Sequence, residues 1–214
     1  MTTDTEDVIA GLELGAYYYI TKPYDVEILF AIIRSAIDDR KRLASLKQDV
    51  RKREGAMSLI ESGTFRLKTL EEASELATLL AVTCPDPDAV ASGLLELLIN
   101  SVEHGNLEID YSEKRSLLIE DNWSNEIDRR LLSEPYCNRS TLVMFERNDA
   151  RATFHIKDEG KGFHWQRYIE FDPARAMDPN GRGIAMANNF SFSTIAYQGS
   201  GNEVVAEVVF DESS

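Results

Sequence analysis

Three stretches, far apart in the chain, carry residues whose types and spacing could do chemistry. The first, Leu94 to Asn106, reads LLELLINSVEHGN. On a helix, Ala91, Leu95, Leu98 and Val102 fall on one face at three- and four-residue spacing, and Glu96, Asn100 and Glu103 fall on the opposite face. Carboxylate and carboxamide oxygens one turn apart suit a hard cation such as Mg²⁺, which keeps several waters and needs few protein ligands. An amphipathic helix with a solvated polar face has the same spacing, but helix propensity gives no reason for Asn at 100.

The second stretch is Asp158-Glu159-Gly160-Lys161-Gly162-Phe163 and the third is Asn180-Gly181-Arg182-Gly183-Ile184. Glycines spaced this way let the backbone reach positive φ and approach a ligand with no Cβ between. Gly183 opens an apolar run, Ile184-Ala185-Met186-Ala187, that reads as the first turn of a helix. A helix N-terminus preceded by glycines offers free N–H groups and a favourable dipole to phosphate. Ala152 to Lys157 alternates as a strand and delivers Asp158 to its end, where a carboxylate can face a pocket. Two surface turns are the plainer reading of each Gly-x-Gly taken alone.

Taken together and in this order, Glu96-x-x-x-Asn100 with Glu103-His104-Gly105-Asn106, Asp158-x-Gly160-x-Gly162 and Gly181-Arg182-Gly183 resemble the N, G1 and G2 boxes of the GHKL ATPase superfamily. The set is most similar to the anti-sigma-factor serine kinases of bacterial partner-switching systems, over roughly residues 63–210. The resemblance implies a Bergerat-type two-layer α/β sandwich and an ATP–Mg²⁺ site. Asp158 would bind the adenine amino group, Gly160 and Gly162 would shape the nucleotide pocket, and Asn100 would bind Mg²⁺. Gly181, Arg182 and Gly183 would cradle the phosphates, and Glu96 would accept the proton of the attacking hydroxyl. The implied partners are a STAS-type anti-anti-sigma protein as substrate and a sigma factor or similar target.

Composition bounds these readings. The 214 residues suffice for one or two domains, with 43% hydrophobic and 28% charged residues, an ordinary globular balance. No apolar run approaches the length of a membrane span, and the acidic N-terminus is unlike a signal peptide. The formal charge is −14; residues 1–59 carry 9 basic and 10 acidic residues, and residues 60–214 carry 14 and 27. An acidic body repels phosphate backbones, so nucleic acid is not expected as a partner. A triphosphate would have to be held by Mg²⁺, backbone N–H groups and local cations, with Lys161 and Arg182 the candidates. Cys84 and Cys137 have neither metal nor redox spacing and fit a reducing cytoplasm.

The elements that must position these residues follow from pattern and punctuation. Thr64 to Lys68 alternates as a strand, and Thr69-Leu70-Glu71-Glu72 predicts an N-cap and first turn of a helix to about Thr83, stopped by Pro85 and Pro87. Asp86 or Asp88 then begins the helix that carries Glu96 and Asn100. A charged helical insert is predicted over 112–132, with no evident chemical role. Ser140 to Arg147 and Arg151 to Lys157 predict two strands joined at Asn148-Asp149-Ala150. Residues 163–180 read as a mobile lid, since Pro173, Pro179 and mixed polarity prevent a regular element. A short helix from Ile184 to Phe190 and a closing hairpin around Gly199-Ser200-Gly201-Asn202 complete the pattern. The expected class is α+β, a two-layer sandwich with a mixed, mostly antiparallel sheet.

Upstream, GLELGAYYYITKPYDVEIL resembles the last third of a response-regulator receiver domain, with Lys22-Pro23 as its signature and Tyr19 where the switch aromatic lies. The strands that would supply a phospho-acceptor aspartate have no counterpart, so Lys22 has no phosphoaspartate to pair with here. Either the chain starts late in a longer protein, or the fragment serves as a docking element. A long helix is predicted over 25–59, with Leu29, Ala36, Leu43, Val50 and Met57 recurring every seven residues. The companion positions Ile33, Arg40, Lys47 and Glu54 lose their apolar character, leaving a dimerising helix and a solvated connector both open. The organisation read from sequence is thus a receiver-like segment over 1–37, a helical linker over 38–62 and the ATP-binding domain over 63–214, with a homodimer expected.

Three functions fit. One is a protein serine/threonine kinase of anti-sigma type. Another is a histidine-kinase-like ATPase domain, disfavoured because none of His104, His155 and His164 lies on the long helix. The third is a nucleotide-dependent binding module without transfer activity.

Overall fold

A computed structural model describes residues 59–166 and 183–210, together with Val26, Glu27, Leu29, Phe30, Ile33, Arg34, Ala36, Ile37 and Lys41. Lys22 and Tyr19, most of the long-helix heptad, the greater part of the lid, and both Gly181 and Arg182 lie outside the described residues. The described positions between 26 and 41 are helical, and Val26, Phe30, Ile33 and Ile37 are exposed. Arg34 pairs there with Asp121 at 2.6 Å.

The chain from 62 onward alternates helices and strands in the order β1 (Ser62–Leu67), α1 (Leu70–Ala81), α2 (Pro87–Asn100), a π-helical turn (Ser101–Asn106), α3 (Tyr111–Ile119), α4 (Trp123–Leu131), β2 (Thr141–Arg147), β3 (Arg151–Lys157), α5 (Gly183–Phe190), β4 (Thr194–Gln198) and β5 (Glu203–Val209). Local chemistry accounts for the helix starts. Thr69 and Glu72 form a reciprocal capping box, each side chain accepting from the other's backbone N–H at 3.1 Å. Asp86 caps α2 by accepting from Ala89 N at 3.1 Å, and Pro87 occupies the first turn, where no N–H is required.

The five strands form one sheet in the order β1-β2-β3-β5-β4, and all four pairings are antiparallel. The mixed sheet expected from sequence is therefore wholly antiparallel among the described residues. Alternation sorts its faces. Val143, Phe145, Ala152, Phe154, Ile156, Val204 and Ala206 are buried in the same core as the apolar residues of α1 and α2. Phe145 and Phe154 lie opposite one another across β2 and β3, ring centroids 5.4 Å apart. The other face carries polar pairs such as His155 and Lys157 with Glu203. The molecule is thus α+β, with helices packed on one face of an antiparallel sheet.

Helix α2 is central, packing against both α1 and α5. Gly93 makes the second contact possible: a Cβ there would lie 2.4 Å from the Cβ of Ser191. The predicted helical insert consists of two helices, broken at Asp121, whose φ is +55°. One sequence expectation changes. The helix bearing Glu96 does not continue as an α-helix to Asn106. After Asn100 it widens into the π-turn, closed by Leu107 N donating to Val102 O at 2.8 Å.

Candidate functional site

Asp158 sits where β3 runs out of sheet. The last β3–β5 pair is Lys157 with Glu203, and beyond it Asp158 and Asn202 exchange bonds. Asp158 N donates to Asn202 O at 3.0 Å, and Asn202 Nδ2 donates to Asp158 O at 3.1 Å. The Asp158 side chain is buried, 8% exposed, and one oxygen accepts from Gly160 N at 2.8 Å. Burial pushes its carboxyl up to about 6, against the opposing pull of the Gly160 N–H and the nearby Arg139. A buried carboxylate so poorly compensated in the free protein is poised to accept a donor from a ligand.

The π-turn forms the wall behind it. A Cβ at Gly105 would lie 2.4 Å from Asp158 Cγ, and a Cβ at Gly160 would lie 2.3 Å from Gly105 O. Any side chain at either position would separate the turn from the Asp158 loop. Asn106 ties the two covalently distant segments together: its Oδ1 accepts from Glu159 N at 2.9 Å and its Nδ2 donates to Thr141 Oγ1 at 2.9 Å. Thr141 is in turn bonded to Ser101 at the start of the π-turn, 3.0 Å away. Gly162 has φ +78°, and a Cβ there would lie 2.2 Å from Ser200 O in the β4–β5 loop. In the described structure these glycines permit close approach of chain to chain around Asp158 and the β4–β5 loop.

Glu96 and Asn100 lie one turn apart on α2, both half-buried. Glu96 faces the start of α5: a Cβ at Gly183 would meet its Oε2 at 1.8 Å. The first and third chemical stretches are therefore in contact. Gly181 and Arg182 belong to the third stretch but lie outside the described residues. Lys161, considered as a phosphate cation, is mostly exposed and donates to Glu108 at 3.2 Å.

Glu103 is placed differently from the sequence reading. The wider turn takes it off the face of Glu96 and Asn100 and buries it completely. Its oxygens accept from Lys114 Nζ at 2.6 Å and from Trp123 Nε1. Burial alone would raise its pKa, but Lys114, His104 and the two hydrogen bonds outweigh that and hold it below the usual carboxylate range. Glu103 is thus a structural anion, unavailable to a divalent cation. Among the described residues, no group of three or more His, Cys, Asp and Glu is arranged to hold a metal. Any Mg²⁺ here would rest on few protein oxygens, which is its ordinary habit.

Sequence reasoning missed Tyr197. Its half-buried phenol is pushed up by desolvation and by the negative charges of Asp158 and Glu96, so it feels both carboxylates. Phe163 packs edge-on to its ring at 5.3 Å and Trp165 stacks on it at 5.8 Å. The only signal available was an aromatic next to the end of a short strand, flanked by Ala196 and Gln198. Asn202 was likewise legible only as a turn residue, and Asn106, quoted within the first motif, was given no role of its own. The comparisons with known proteins add no assignment: no protein-family model, no curated protein and no solved structure matches the chain.

Proposed function

We propose that the chain binds ATP with Mg²⁺ in a Bergerat-type domain spanning 63–214 and transfers the γ-phosphoryl group to a serine or threonine of a partner protein. One observation carries the reading. Three stretches that resemble nucleotide-binding boxes, separated by tens of residues, meet through close approaches at glycines: Gly105 with Asp158, Gly160 with Gly105, and Gly183 with Glu96. Two unrelated surface turns and an amphipathic helix have no reason to converge in this way.

In this reading the Asp158 carboxylate accepts a hydrogen bond from the adenine amino group, and the half-buried aromatic group of Tyr197, Phe163 and Trp165 borders that end of the site. Asn100 would hold Mg²⁺, whose contribution when bound is to neutralise charge on the transferring group. Glu96, one turn before Asn100 and against the N-terminus of α5, takes the proton of the attacking hydroxyl at a carboxylate oxygen. Gly183 N–H, following Gly181 and Arg182, faces the phosphates. The fit is favourable in that the residues present are oxygen donors suited to a hard cation, with a carboxylate in need of a donor at the opposite end.

The proposed substrate is a STAS-type anti-anti-sigma protein, with a sigma factor as a second target and the helix around 26–41 as a homodimer handle in the cytoplasm. The receiver-like segment would then feed a two-component or partner-switching signal into the kinase. The histidine-kinase alternative gains nothing from the structure. His104 is half-buried and bonded to Ile109 O, and His155 is bonded to Glu203 at 2.7 Å. The test is incubation of the protein with Mg²⁺ and γ-labelled ATP, with and without STAS proteins encoded beside it. Label on a STAS serine or threonine is expected. Nucleotide binding with no transfer to any of them would turn the assignment to the non-catalytic binding module, and no adenine-nucleotide binding at all would sink it.

A further inference from the structure

The α3–α4 hairpin has no place in the proposed chemistry, yet it is densely bonded to the π-turn and its exit. Lys114 from α3 and Trp123 from α4 each donate to the buried carboxylate of Glu103. Arg130 from α4 donates to Leu107 O at 2.7 Å and is itself held by Glu113 and Glu126. Beyond the hairpin, Arg139 donates to Asn106 O at 2.9 Å, and the Tyr136 ring lies between the two guanidinium groups, 5.5 and 5.3 Å from them. The side chain of Asn106 reaches from the same turn to the Asp158 loop and holds Glu159 N, next to Asp158.

We propose that the α3–α4 hairpin is the positioning element for the Asp158 end of the site, and that Glu103 is the positioning residue through which it acts. The inference rests on the nucleotide reading for its consequence, though not for its geometry. A π-turn exchanges regular α-helical hydrogen bonds for wider ones, and side-chain bonds from the hairpin anchor this one from outside. Glu103 does so with two acceptor oxygens, each used by a donor from a different helix of the hairpin. Release of Glu103 lets the turn relax towards a regular helix. That moves Gly105 off the Asp158 carboxylate and withdraws Asn106 from Glu159.

Glu103→Gln tests this with almost no change in volume. A carboxamide offers one oxygen and one NH₂ where two acceptors are required, so in either orientation a donor faces a donor, Lys114 or Trp123. Adding Lys114→Gln restores compatibility: the carboxamide at position 103 can then accept from Trp123 and donate to the carboxamide at position 114. Two readouts are needed, in the full chain. In the first, amide exchange at Glu159 is expected to speed up at least tenfold in the single variant and return to within about threefold of the parent in the double variant. Exchange at Phe154, in the middle of the sheet, should stay unchanged throughout. In the second, affinity for AMP, ADP and ATP is expected to fall by the same factor, on the order of tenfold or more, because the damage lies at the base end. A structural role alone would lower Phe154 protection along with that of Glu159 and would not spare the phosphate contribution.

Unchanged Glu159 exchange in Glu103→Gln overturns the proposal, as does an affinity loss confined to ATP. If Glu103→Gln does not fold, Trp123→Phe removes one of the two donors and leaves the ion pair, and the same exchange outcomes decide. A parent protein that binds no adenine nucleotide, with Glu159 still released by the variant, would retain the positioning role and remove the nucleotide reading instead.

Discussion

The carboxylate of Glu96 occupies the space that a side chain at Gly183 would need, with Oε2 1.8 Å from where its Cβ would stand. The obstacle is the far end of a flexible side chain, so Gly183→Ala is expected to fold. Alanine is the better helix former, by about 1 kcal/mol in a helix interior, so the stability of the variant should change little. Its cost falls on the Glu96 carboxylate, which must swing away. Phosphoryl transfer is expected to drop at least tenfold while ATP affinity stays within about threefold of the parent. Normal transfer in a folded Gly183→Ala protein would show that Glu96 need not sit against α5.

Glu96 and Asn100 should fail in different ways. Glu96→Gln removes a base and little contact, so nucleotide binding is expected to persist and transfer to fall by about 10²–10⁴, the usual contribution of a general base. Asn100→Ala should abolish the Mg²⁺-dependent part of ATP affinity and leave AMP binding alone. Calorimetry with and without Mg²⁺ reads both. Loss of AMP affinity in Glu96→Gln would place Glu96 in the base pocket and rule it out as the acceptor.

Asp158 makes a pH prediction. Its folded value of about 6, against an ordinary 3.8, means that the folded protein binds this proton more tightly than the unfolded chain does. The associated stabilisation is present below pH 4 and is lost as pH rises through about 6, a cost of about 3 kcal/mol to the nucleotide-free protein above that point. Asp158→Asn keeps the oxygen that accepts from Gly160 and removes the buried charge. It is expected to stabilise the nucleotide-free protein at pH 8 and to make little difference at pH 4, as read by denaturant unfolding. Binding should show the converse. On the proposed reading the ionised carboxylate is the form that would accept from adenine, so affinity should fall towards tenfold per pH unit below 6, and Asp158→Asn should bind weakly with no such slope. A flat affinity profile in the parent between pH 5 and 8 would dissociate Asp158 from the base.

Trp165 stacks on Tyr197, and the charges of both Asp158 and Glu96 act on the Tyr197 phenol. A nucleotide between those carboxylates is therefore expected to change Trp165 emission. Trp165→Phe is the proper control. Replacing the only other tryptophan, Trp123, would break a hydrogen bond to Glu103. An ATP-dependent emission change that survives in Trp165→Phe would arise at Trp123, and would report the hairpin instead of the aromatic cluster.

What the sequence determined by itself was everything decided within a few residues. The capping box of Thr69 and Glu72, the Asp86-Pro87 start of α2 and the alternation of β2 and β3 rest on local hydrogen bonds and on the two periods of helix and strand. The pairing of Glu96 with Asn100 on one helix face is of the same kind. Tertiary structure decided the rest. A π-turn has no compositional signature, so the sequence placed Glu103 on one polar face with Glu96 and Asn100, whereas the fold buries it against partners 11 and 20 residues further on. A buried charge and an exposed one look alike in sequence, because what separates them is desolvation set against partners contributed by other elements. The same holds for the close contacts of Gly105 with Asp158 and of Gly183 with Glu96. Each glycine is legible as freedom of the backbone, but what the freedom is used for depends on which segment the fold brings alongside it.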